Sequence, residues 1–199
     1  MMTWNWKNEW TIVRAAISEW ESFIFSDTIL WPINFDREHG YEGGMKPRLS
    51  AGRLLIAVFF LDYFQKYDES ILLAVSEDLH ALQKLKSTWK SNWQKKINAE
   101  LPFRLRQFEE MLAGVGKASL SAAEYANQIL IRLMIDFLVE ESSQETANQF
   151  AGQILTLDRR LKMNTRAGDF VWGPEVEPAF DKTKFWYLFS VSTAKEGRK

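Results

Sequence analysis

Residues 50–67, SAGRLLIAVFFLDYFQKY, decide the fold of this chain. Wound as a helix from Ala51 to about Tyr67, they are apolar on almost every side, and a helix with that pattern belongs at the centre of a core. Ser50 is placed as its N-cap, with Leu49 and Leu54 as a hydrophobic staple across the cap. Asp62 and Lys66 share one side at four-residue spacing, and Arg53 stands alone on its own side.

Working outward, residues 3–25 place Trp6, Trp10, Val13, Ile17, Trp20 and Ile24 on one face at alternating steps of four and three, which predicts a first helix from Thr3 to Phe25. Between it and the central helix lies a connection from Ser26 to Leu49, with Pro32, Gly40, Gly43, Gly44 and Pro47. Connections of that length inside a compact domain are uncommon and often functional. Beyond the central helix, Asp68 caps a helix expected from Glu69 to about Ala99, about 45 Å if unbroken, with a kink expected near Ser76. Its apolar face includes Val75, Leu82, Leu85, Trp89, Trp93 and Ile97. Pro102 opens a short helix to Leu112, and Gly114 and Gly116 end it. Ser121 and Glu124 form a capping box for a second nearly all-apolar helix to about Glu141. Ser142 and Glu145 repeat the pattern before a helix to about Lys162.

From residue 164 the chain changes character. Gly168, Gly173, Pro174 and Pro178 interrupt helical spacing, while Phe185 to Val191 has strand propensity. A hairpin of Phe170–Trp172 with Phe185–Phe189, an extended arm, or a final short helix compete for this segment. The fold expected is all-α: an irregular antiparallel bundle of about six helices in a single domain over residues 1–199, with a C-terminal extended or β-hairpin appendage over 164–199.

Composition excludes several chemistries. Cysteine is absent, so disulfides, thiolate nucleophiles and sulfur-built zinc sites are not available. A formal charge of −1 gives no global attraction to nucleic acid or anionic lipid. The longest apolar run, Leu54 to Leu61, is far short of the roughly 20 residues of a membrane span. No secretory signal is legible at the N-terminus, so the cytoplasm is the expected compartment.

The motifs that remain are weak. Glu77 and His80 give one Glu-x-x-His spacing where a di-metal bundle needs two, and the helical wheel turns His80 away from the core. The Gly114–Ser119 stretch lacks the first glycine of a phosphate-binding loop and has no Ser or Thr after Lys117. Lys84, Lys86, Lys90, Lys95 and Lys96 do not line up as one stripe, so nucleic-acid binding is a weaker alternative. No catalytic residue, metal or cofactor is assigned. The leading expectation is a non-catalytic interaction or assembly protein, a homodimer or a small subunit of a larger complex. Its interface candidates are Trp4, Trp6, Trp10, Trp31, Trp172 and Trp186, because tryptophan is enriched in interface hot spots. The alternative is an enzyme or small-ligand binder with a polar pocket between the two central helices. Arg53, Asp62, Arg132 and Asp136 would line it, beneath the 26–49 connection carrying His39.

Overall fold

The computed structural model describes residues 3–33, 41, 47–115 and 120–193. The chain is all-α with one small antiparallel sheet near the C-terminus. Its helices are α1 (Trp6–Ser18), α2 (Trp20–Phe25), α3 (Ala51–Phe64), α4 (Glu69–Thr88), α5 (Lys90–Val115), α6 (Ala122–Gln128), α7 (Leu130–Glu141) and α8 (Gln144–Met163). Its strands are β1 (Thr165–Ala167) and β2 (Ser190–Ser192). Contacts gather into two compact units, an N-terminal one of Asn5–Leu101 with Glu140–Ser142, and a C-terminal one of Met1–Trp4, Pro102–Val139 and Ser143–Lys199.

In the N-terminal unit α3 is largely buried, as its sequence requires: Leu54, Ile56, Ala57, Phe60 and Leu61 are each at most 1% exposed. Ser50 caps it by accepting from the Arg53 amide. Ile12, Val13 and Ala16 of α1 are also buried, and Trp20 stacks on Trp93 with centroids 5.9 Å apart. The long connection is clipped at its ends, because Trp31 and Leu49 exchange two backbone hydrogen bonds of 2.8 and 2.9 Å.

Three helices expected as single pieces are each broken at one residue. The first breaks at Glu19, whose φ of −102° and ψ of 14° depart from helical values while its amide still bonds the Ala15 carbonyl. The long helix breaks at Trp89, with φ −106° and ψ 34°, and not near Ser76. The Ser121 helix divides at Ile129. Pro102, expected to open a helix, lies inside α5; Ala99 to Leu101 continue the helix into it, and only a single amide donor is missing there. Asp68 and Ser121 are N-caps as expected, the latter in a full capping box. The cap of α8 is Ser143, one residue beyond the expected Ser142.

In the C-terminal unit β1 and β2 pair antiparallel with Arg166 opposite Val191. This ladder lies outside the expected Phe170–Trp172 and Phe185–Phe189 segments, of which Trp186–Phe189 is a 3₁₀ turn. Apart from the half-exposed Trp186, the aromatic residues between the strands are core: Trp172 is 1% exposed and Tyr187 fully buried. Phe170, Trp172 and Phe180 meet one another with centroids 5.6–5.9 Å apart. Gly168 is needed at the sheet edge, since a Cβ there would lie 2.6 Å from the Val191 Cγ1. Among the described residues no helix is long and apolar enough to cross a membrane.

Candidate functional site

Charged residues on the most apolar helices must find partners, because an unpaired buried ion is costly. Arg53, 7% exposed, grips the equally buried Glu9 of α1 through two hydrogen bonds of 2.6 and 2.8 Å. Burial works against its charge, but Glu9 and the nearby Tyr41 outweigh that and hold its pKa above the usual arginine value. Beside this pair, the buried Glu100 accepts from the Ser50 hydroxyl at 2.7 Å and from the Gly52 amide at 3.0 Å. A carboxylate there satisfies free amides at the start of α3 and meets the positive end of its dipole. Lys96, one turn earlier on α5, donates to the Ser26 carbonyl and hydroxyl and to the Thr28 carbonyl, and lies 4.6 Å above the Phe23 ring. Burial lowers its pKa, opposed by Asp27 and Glu100.

A second network stands in the C-terminal unit. Arg132 on α7 bonds Asp136 one turn on and holds Asp158 of α8 through two contacts of 2.7 and 2.9 Å. Its guanidinium lies 5.1 Å from the centre of the Tyr187 ring. The Tyr187 hydroxyl donates to Asp136 at 2.6 Å, and the Tyr125 hydroxyl donates to the Tyr187 carbonyl at 2.9 Å. Burial pushes the Tyr187 phenol far above its ordinary pKa, helped by the neighbouring Asp136, and burial alone lifts Tyr125. Both networks are closed: each guanidinium is matched by carboxylates and each phenol by an acceptor. Such arrangements cross-link helices.

The pocket expected from sequence therefore divides between these settings. Arg132 and Asp136 are brought together, joined by Asp158 and Tyr187. Arg53 belongs to the other unit with Glu9, and Asp62 of that unit is exposed and accepts from Gln65 at 2.9 Å. His39 lies outside the described residues. His80 and Glu77 are exposed on α4, and among the described residues no three His, Asp or Glu side chains are placed to share a metal ion.

The tryptophans also separate. Trp4 and Trp172 are buried, packed edge to face with centroids 5.3 Å apart. Trp6, Trp10, Trp31 and Trp186 are half-exposed, and the indoles of Trp10 and Trp31 donate to Asp78 and Glu19, both at 2.6 Å. Among the exposed large apolar side chains of the N-terminal unit, Phe25 (55% exposed) stands at the end of α2, while three lie together in sequence at the α3–α4 corner: Tyr67 and Leu73 are 74% exposed and Leu72 42%. Tyr63 meets Tyr67 there at 5.1 Å. The signal for this corner was present, since Leu72 and Leu73 fall off the apolar stripe of α4 that runs through Ile71, Val75 and Leu82. No protein-family model, curated protein or solved structure matches the chain.

Proposed function

We propose that the protein is a non-catalytic assembly module that self-associates through the α3–α4 corner. The exposure of Tyr67, Leu72 and Leu73 within one turn-and-helix segment carries this reading. Single exposed apolar residues need no explanation, but three within seven consecutive residues supply the apolar area that an interaction surface needs. The rim favours a second copy. Lys66 stands on one side of Tyr67 and Asp68 and Glu69 on the other, all exposed, so a two-fold axis through the corner sets each lysine against the other copy's carboxylates. Isologous pairing of this kind is the commonest route to a homo-oligomer, and a net charge of −1 offers little repulsion against it.

Sedimentation velocity across a range of concentrations, repeated on Leu73→Lys and on the double variant Tyr67→Ser with Leu72→Ser, tests the reading. Association of the natural chain that both variants abolish, with circular dichroism unchanged, supports it. Association that both variants leave intact places the interface elsewhere, and a monomer at every concentration removes it. Capture of a different, stoichiometric protein through the same corner would replace the homodimer with a mixed complex.

A further inference from the structure

We propose that the cavity between the end of α8 and the two-stranded sheet binds a compact phosphomonoester dianion, held by Lys162, Arg166 and Lys182. These three cations come from three different elements: the last turn of α8, the centre of β1, and the loop before the Trp186 3₁₀ turn. They line one cavity of about 230 Å³ together with Trp186, Phe189 and residues of both strands, and among the described residues no carboxylate lines it. Among the described residues none of the three has an ion-pair partner, whereas the arginines at 53, 132 and 160 all do. All three side chains are exposed around this hollow, and like charges gathered about one opening favour an anion there.

The side chains around the cavity sharpen the class of ligand. Lys162 sits 4.6 Å over the Trp186 ring and Lys182 5.4 Å over Phe189, contacts that hold the amines in place without neutralising them. The Thr165 and Ser190 hydroxyls, which also line the cavity, spend their protons on the Leu161 and Trp186 carbonyls. Apart from the Trp186 indole, the side-chain donors left for a ligand are therefore cationic, so charge is favoured over neutral polarity. A guanidinium with two ammonium groups matches the three oxygens and double charge of a phosphomonoester better than a single carboxylate. Size and surroundings favour a small ligand over a polymer. The adjoining cavity of about 350 Å³ shares Lys182 and Phe189 but is lined by Asp169 and Glu177, which would repel a polyanion continuing past Lys182.

Isothermal titration of the full chain at low ionic strength with phenyl phosphate tests the proposal, with phosphatidic acid vesicles as a second arm that presents the same group on a lipid. A single saturable site is expected in at least one arm, the arm that responds identifying the source. Arg166→Gln should weaken it by about tenfold or more, the loss of one charge-assisted bidentate contact. Arg166→Lys should restore part of the affinity, while Lys95→Gln, on an exposed face of α5, should leave it unchanged. Circular dichroism of each variant guards against a folding defect, and Lys182→Gln gives an independent second probe. Absence of binding in both arms overturns the proposal, as does binding indifferent to Arg166 and Lys182. Binding of a uridine oligonucleotide that phenyl phosphate does not displace also overturns it, in favour of an extended nucleic-acid surface.

Discussion

Glu9 and Arg53 show how a single buried charge shapes this protein. From spacing alone Arg53 is an arginine on an apolar helix that must have a partner. Its partner is 44 residues away on α1, and no local pattern announces such a pairing. Each group is buried only because the other is present. Glu9→Gln is therefore expected to cost about 3–5 kcal/mol in urea unfolding, while Glu9→Leu with Arg53→Met should recover most of that loss. A cost under about 1 kcal/mol for Glu9→Gln would show that the pair is solvated and dispensable. The same reasoning applies to Tyr125 and Tyr187, whose folded pKa values lie above the ordinary value of 10.0. The folded state holds these protons more tightly than the unfolded chain does. Their contribution to stability is complete below pH 10 and is lost as pH rises from there toward the folded values. Denaturation followed from pH 8 to 11.5 should show stability falling above pH 10, with a shallower fall in Tyr187→Phe.

At the level of elements, caps were the most legible feature and continuity the least. Ser50, Asp68 and Ser121 cap the helices that their residue types announce, because a cap depends on one side chain and an amide two or three residues on. Ser121→Ala removes the hydroxyl half of its capping box, leaving the backbone amide of residue 121 to donate to Glu124, and should cost about 1 kcal/mol of stability in thermal or urea unfolding; no measurable change would mean that tertiary contacts alone hold the start of α6. The breaks at Glu19, Trp89 and Ile129 follow no glycine or proline. They answer to packing around large side chains: Trp20 must stack on Trp93, and Trp89 meets Phe25 edge to face at 4.9 Å. Pro102 shows the converse, a helix breaker tolerated because contacts on both sides of it, including Leu101 and Leu105 fully buried, outweigh one missing donor. In the C-terminal segment the strand propensity was legible, but the position of the ladder was not. Burial of Trp172 and Tyr187 sets the register of that segment, and burial depends on the whole unit.

For the molecule as a whole, the all-α class followed from periodicity and composition, whereas the grouping into two compact units did not. The break between them falls at Pro102, inside a helix, where no linker composition marks it. The candidate site was legible only in part. Tryptophan enrichment drew the interface toward the chain ends, yet Trp4 and Trp172 are core and the exposed apolar group stands at Tyr67, Leu72 and Leu73. Apolar residues that a helix cannot place on its buried stripe are a better guide to a surface than aromatic content, since a tryptophan satisfies a core equally well. That corner is the basis for the proposed self-association, and the mass of the chain in solution is its most direct test. Sedimentation equilibrium at micromolar concentration should give a species of twice 23.2 kDa, reduced to the single mass by Leu73→Lys. A natural chain that sediments at the single mass at every concentration would contradict the account.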